Sequence, residues 1–312
     1  MIKTPLAIIL LVAAVMLTHA LVTAPADAED AEQAPAAAAE EKKVLFLADK
    51  GKNGKVHAHV AGNEILAKAL EDSGLGFETV QQMGWPKDPK VFEGVDTIVL
   101  YCNGGGGHLV MKDLEQFEKL IDEGVGIVCM HYGVEVPKGE AGDIMLKGMG
   151  GYFETHWSVN PHWTADIKTL PKHPITSGCK PFVQEDEWYY HMRFQPEMKG
   201  VTPILSAHPP KETMRRKDGP HSNNPHVRKS MEAGEIQHIG WAYERPEGKG
   251  RGFGTTGAHY HRHWEDKNWR TLILNAIAWT AGAEIPEDGI PSEDIATKQA
   301  RHDHDHDHGH TH

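Results

Sequence analysis

Cysteine is scarce. Cys102, Cys129 and Cys179 are the three in 312 residues. An odd number, without knuckle spacing, excludes a disulfide framework and a structural zinc ribbon. Cys102 and Cys129 sit inside the apolar runs "TIVLYC" and "GIVCM", where a thiol serves as a small core residue. Positive charge is also in the minority, with 32 Lys and Arg against 44 Asp and Glu and a net charge of −12. That excludes the basic face a nucleic-acid partner needs. No phosphate-cradling loop is present either. "NGGGG" at 103–107 lacks both the G-K-[ST] ending and the G-x-G-x-x-G spacing, so it reads as close backbone approach to a ligand or a flexible turn.

What the chain does have falls into four parts. Residues 1–28 carry one early lysine, an apolar run and an A-x-A pattern at 26–28, which predicts a secretory signal cut after Ala28. An uncleaved anchor is the alternative, since the apolar run is long enough to span a bilayer. Cleavage predicts a secreted or periplasmic protein with no stable membrane anchor. Residues 29–41 are Ala, Glu and Pro, with nothing to bury, and predict a disordered linker. Residues 42–283 suit one domain of ordinary size. Residues 284–312 predict a disordered acidic and His-rich tail. Its six alternating histidines, His302 to His312, suit loose metal binding rather than an active site.

Within the domain the first half alternates in type. "KKVLFLAD", "FETVQQ", "VDTIVLYC" and "GVGIVCMHYG" predict strands, and "GNEILAKALEDSG" and "MKDLEQFEKLIDEG" predict helices. Near-continuous apolar strands between amphipathic helices predict an α/β fold, a mostly parallel sheet with helices on both faces. In the second half "WTADIKTL", "EWYYHMRF", "TPILSAH", "IQHIGWAYE" and "GRGFGTTGAH" predict strands, and "WRTLILNAIAWTAG" a closing helix. The polar, Pro-rich span 208–235 predicts a long surface loop or lid.

Ligands of such a sheet bind at the carboxyl ends of its strands. Four strand ends here carry imidazoles: His57 and His59, His108, His131, then His259, His261 and His263. If the last three lie in an extended segment they share one face. A further cluster brings His156 and His162, then Asp186, Glu187 and Tyr189. Imidazoles with one or two carboxylates suit a divalent transition ion, zinc first, with manganese, iron or nickel as alternatives. A nearby carboxylate free of the ion serves as general acid or base.

The segments "HPITSGCKPFVQEDEWYY" (173–190), "GMGGYFETH" (148–156), "VCMHYG" (128–133), "HAHVAGNEILAKAL" (57–70) and "GRGFGTTGAHYHRHWEDKNWRTLILNAIAWTAG" (250–282) together resemble the trehalose-utilisation, or ThuA-like, family over roughly residues 43–283. The resemblance implies a flavodoxin-like fold related to class I glutamine amidotransferases. Those enzymes carry a nucleophilic Cys on the sharp turn after a central strand. Here His131 falls at that turn and Cys129 inside the strand, so thiolate amidotransferase chemistry is not expected. The resemblance also implies a small-molecule carbohydrate as partner, a glycoside or a 3-keto-sugar, and in some relatives a bound metal.

Matching motif by motif assigns catalysis to His131, Glu187 and Asp186. It assigns His57, His156 and His259 to a metal, with His59 as the rival of His57. Gly105, Gly106, Tyr132, Trp157 and Tyr189 are the candidates for holding the sugar. Trp157, Trp163, Trp188 and Trp264 flank the motifs and either stack on a sugar ring or pack the core. Elimination, isomerisation and hydrolysis remain open as the reaction. The rival function is a non-catalytic module that captures a sugar or a metal, with every coordination position filled.

Overall fold

The computed structural model describes residues 41–51 and 54–295. The expected signal at 1–28, the linker apart from Glu41 and the His-rich run at 302–312 lie outside the described residues. No described helix is long and apolar enough to cross a membrane.

Seven strands form the central sheet. Four come from the first half: β1 (Lys42–Ala48), β2 (Phe77–Met83), β3 (Thr97–Tyr101) and β4 (Gly126–Met130). Between them run α1 (His59–Asp72) and α2 (Leu114–Asp122), and α3 (Glu140–Met149) follows β4. Two small ribbons come next. β5 (Gly151–Tyr152) pairs with β8 (Arg193–Phe194), and β6 (Trp163–Ile167) pairs with β7 (Phe182–Asp186). The sheet is completed by β9 (Val201–Ala207), β10 (Gln237–Glu244) and β11 (Arg251–Thr255). α4 (Pro225–Glu232) precedes β10, and α5 (Lys267–Thr280) closes the fold.

The strand order is β2-β1-β3-β4-β11-β10-β9. β2 through β11 are parallel and β10 alone is antiparallel to its neighbours. Alternate residues of one strand serve opposite faces. Val44 and Phe46 join the core under α1 and α5, while Leu45 and Leu47 join the one under α2 and α3. With both faces covered, the inner strands β3 and β4 are buried at every residue and apolar apart from Thr97, while the edge strand β2 keeps exposed polar positions.

Three expectations change. The run 187–192 is not a strand. The Glu187 backbone N–H turns onto the Asp186 carboxylate at 2.7 Å, and His191 sits at φ 55°, so extension stops at Asp186. The span 208–235 is not bare loop. It holds a short 3-10 turn, Lys211–Met214, and α4, which starts on Pro225 at its first turn. Residues 284–295, expected in the tail, pack on α5. Ile290 is 1 % exposed, its backbone N–H donates to Asn275 at 2.8 Å, and the fully buried Arg270 donates to Ser292 Oγ and to the Glu293 carbonyl at 3.0 and 2.6 Å.

α3 buries Ile144, Met145 and Met149 together with Gly142 and Gly148. At Gly148 it lies close against α2, where a Cβ would meet Ile121 Cδ1 at 2.6 Å.

Candidate metal centre

Four side chains from distant parts of the chain meet at the carboxyl edge of the sheet. His57, His131, Glu187 and His259 each present one ligand atom, all within 4.8 Å of one another. His131 follows β4 directly, at φ 51°, and its ring is fully buried. His259 follows β11, next to Ala258 at φ 82°. His57 lies between β1 and α1 at φ 50°. Its backbone N–H donates to the His259 carbonyl at 3.1 Å, which ties the two loops together. Glu187 follows β7, in the ribbon folded over the sheet edge.

His131 Nε2 stands 3.0 Å from His259 Nδ1 and 3.4 Å from Glu187 Oε2. His259 Nδ1 stands 3.1 Å from the same oxygen. The His57 ring centroid lies 4.8 Å from that of His131 and 4.7 Å from that of His259. Its Nδ1 is buried without a hydrogen-bond partner, which is costly for a neutral polar atom unless something fills the place. Donors about 2.0–2.2 Å from one ion stand about 3.0–3.4 Å apart as neighbours around it. The three separations among His131, His259 and Glu187 fall in that range, and three imidazoles with one carboxylate are a donor set for a first-row transition ion. The residues therefore fit a metal.

The surrounding residues fix these donors. His131 Nδ1 lies 3.0 Å from the Thr256 carbonyl, an acceptor that would hold the ring proton there and free Nε2 for an ion. Asn160 Nδ2 donates to Glu187 Oε1 at 3.2 Å. Tyr189 Oη lies 3.2 Å from His131 Nε2 and 3.5 Å from Glu187 Oε2. Burial and the Glu187 charge hold its phenol proton on, well above the usual range. Burial, with the neighbouring rings of His131, His259 and His59, pushes His57 down to about 3, so it is neutral and ready to ligate. Burial alone would raise the Glu187 carboxyl, but hydrogen bonds and charge from His131 and His259 hold it well below the carboxylate range.

Asp186 stands beneath the cluster, fully buried. It accepts from the backbone N–H groups of Ala258 at 2.9 Å and His259 at 3.1 Å, and pairs with His263 Nδ1 at 3.1 Å. Burial opposes its charge, but the His263 bond and the backbone donors prevail and keep it ionised. Its place is to hold the 258–263 turn rather than to meet a ligand.

The remaining expected residues separate. His156 is exposed and outside the group; its backbone N–H donates to the Pro220 carbonyl at 2.7 Å. His59 pairs with Asp49 at 2.6 Å instead of joining His57. His108 caps a turn with Nδ1 and donates from Nε2 to the Gly133 carbonyl at 2.9 Å. His259, His261 and His263 do not share a face, because a 3-10 turn starts at His261. His259 enters the cluster and His263 goes to Asp186, while His261 points to a different cleft beside α1. Trp157 stacks on His226 and under the Arg193 guanidinium. Trp163, Trp188 and Trp264 are core residues.

Tyr132 lies edge-on to His57, with centroids 6.1 Å apart. Gly105 borders Tyr132 Oη and Glu135, and Gly106 is open to solvent. Gly104 is needed here: a Cβ would meet the Tyr132 carbonyl at 2.3 Å. None of the three thiols belongs to the centre. Burial pushes Cys102 and Cys179 up to about 12 and raises Cys129 well above its usual value. His162, half-exposed and 4.0 Å from Glu187, stands at the mouth. Beside it opens a cleft of ≈ 680 Å³ whose lining includes Asn160, Arg215 and Arg216.

A doubly covered, mostly parallel sheet with its polar cluster on the carboxyl edge defines a flavodoxin-like α/β protein. The model of the ThuA family, described as trehalose utilisation, matches residues 43–280, and the chain belongs to that family. A ThuA-like protein from Bacteroides uniformis ATCC 8492 has a similar structure, with a TM-score of 0.51 at 18 % identity, covering 79 % of this chain and 94 % of that one. Another, from Parabacteroides merdae ATCC 43184, gives 0.50 at 16 % identity, covering 81 % and 98 %. Among curated proteins no match is found.

Proposed function

We propose that this protein is a metal-assisted enzyme acting on a keto-sugar, and that it removes a proton from the carbon beside the sugar's carbonyl. The observation that carries the reading is the meeting of three imidazoles and one carboxylate from four separate segments on the ligand-binding edge of the sheet. Membership of a family described as trehalose utilisation supports a carbohydrate as the substrate class.

His57, His131, His259 and Glu187 would hold a divalent transition ion, and the bound ion would supply Lewis acidity to a chelating carbonyl and hydroxyl. Four protein donors fill a tetrahedral zinc site but leave positions open on a five- or six-coordinate ion. Manganese, iron or nickel therefore suits a catalyst better than zinc here, while zinc suits the rival reading of a closed binding site.

The protein's own residues supply the rest. Thr256 and Asn160 fix the orientation of His131 and Glu187. Tyr189 keeps its proton and offers a hydrogen bond to an oxyanion forming beside the centre. The cleft of ≈ 680 Å³ is large enough for a sugar unit next to the reacting one. Abstraction of the proton leads to elimination or isomerisation according to which bond breaks next.

We further propose export to the periplasm or exterior, supported by the apolar N-terminal run and its A-x-A pattern.

The test is turnover of 3-keto-disaccharides by purified full-length protein, with and without a chelator. We expect product formation that chelation abolishes and that manganese, iron or nickel restores. Turnover indifferent to chelation would contradict the metal, and no turnover of any keto-sugar would contradict the function.

A further inference from the structure

A second polar pair stands beside the centre and has no part in holding it. Glu135 follows the 3-10 turn that starts at His131 and is 2 % exposed. His221 Nε2 bonds both of its carboxylate oxygens, at 2.9 and 3.0 Å. The imidazole is only half-buried, stacked on Phe153 at 5.2 Å. Among the described residues nothing hydrogen-bonds its Nδ1. A buried carboxylate that orients one ring nitrogen and leaves the other free is the arrangement of a general base.

Two routes connect the pair to the centre. Phe153 lies edge-on to Tyr189, and Tyr189 Oη is 3.2 Å from His131 Nε2. On the other side, Glu135 Oε1 and Tyr132 Oη both border Gly105, at 3.5 and 3.9 Å from the place of its missing Cβ, and Tyr132 abuts His57.

The turn that presents His221 is pinned. Asn224 bonds the backbone of Gly219 in both directions, at 3.2 and 2.9 Å, and donates to the His156 carbonyl at 3.1 Å. The His156 N–H holds Pro220. The histidine expected as a ligand thus helps to build the turn under another one. Arg216, five residues before His221, lines the cleft that reaches Glu187, so the same segment connects that cleft to Glu135.

We propose that His221, oriented by Glu135, is the base that takes the substrate proton; this rests on the proton abstraction proposed above. The C–H bond beside the carbonyl breaks, and its electron pair moves into the enediolate. The proton goes to His221 Nδ1, Nε2–H stays on the Glu135 carboxylate, and that charge balances the imidazolium. His221 touches the substrate, and Glu135 is a positioning residue. The groups that face His221 are Glu135 and Glu187, which favour its protonation, and Arg216, which opposes it. The Glu135 bond is the largest of these effects and raises His221 above its ordinary 6.5. The neutral base therefore forms, and the rate climbs, above that ordinary value.

The test has two arms on the full chain. In metal-free protein, NMR titration of labelled histidine is expected to place His221 above 6.5 and to lower it in Glu135→Gln. A wild-type value at or below 6.5, or one that Glu135→Gln leaves unmoved, overturns the pairing. In metal-loaded protein, His221→Gln is expected to keep its metal content and lose about 10²- to 10⁴-fold in kcat. Glu135→Gln is expected to move the acid limb of the pH–rate profile to lower pH. A fully active His221→Gln beside an active wild type overturns this inference and leaves the proposed function standing. An inactive wild type overturns both.

Discussion

His108 illustrates how little a histidine's position in sequence says about its task. It stands at a strand end like the clustered histidines, but its ring is a fully buried connector that accepts from the Val110 N–H at 3.2 Å and donates to the Gly133 carbonyl. The bond accepted at Nδ1 requires the neutral ring, since the imidazolium has no acceptor. Burial lowers its pKa from 6.5 to about 4. The unfolded chain takes up this proton below about 6.5 and the folded one only near 4. Stability is therefore intact above that window and falls as pH drops through it, by on the order of 3 kcal/mol for this one group. Urea unfolding of wild type and His108→Asn between pH ~7 and pH ~4 checks it. The asparagine variant is expected to start less stable and to lose less on acidification. Equal losses would mean that His108 titrates normally.

Elements were legible where packing is periodic. β1 from Val44, β3 from Ile98 and all of β4 are apolar and buried because both faces are covered, and α2 has a clear apolar stripe with Asp113 as its cap. α3 escaped although it buries Ile144, Met145 and Met149, because two of its ten residues are glycine, a weak helix former. α4 escaped because the composition of its surroundings is polar and Pro-rich, although Pro225 marks its first turn. The segment 284–295 looks like solvated tail in sequence. Its one apolar anchor, Ile290, and its backbone bonds to Arg270 and Asn275 carry no periodic signal. Ile290→Ala is expected to cost about 2–5 kcal/mol, read as a lower urea midpoint. An unchanged midpoint would mean that this segment does not contribute to the fold.

At the scale of the whole molecule, the strand-end rule brought His57, His131 and His259 to one edge without any contact information, and the motif match added Glu187. Sequence could not divide labour among them. It separated catalytic from metal-binding residues, whereas the fold puts His131 and Glu187 into the same group as His57 and His259. His156 stays outside the group: its side chain is exposed, and its backbone N–H and carbonyl brace the His221 turn through Pro220 and Asn224. Glu135 and His221 left no trace in sequence, because 86 residues separate them and His221 lies in the Pro-rich span.

The most direct measurement is anomalous X-ray diffraction at a metal absorption edge from crystals of the full chain grown with manganese, iron or nickel. One strong peak is expected within about 2.0–2.2 Å of donors from His57, His131, His259 and Glu187. No peak between those four side chains, or a peak held by other residues alone, would contradict it.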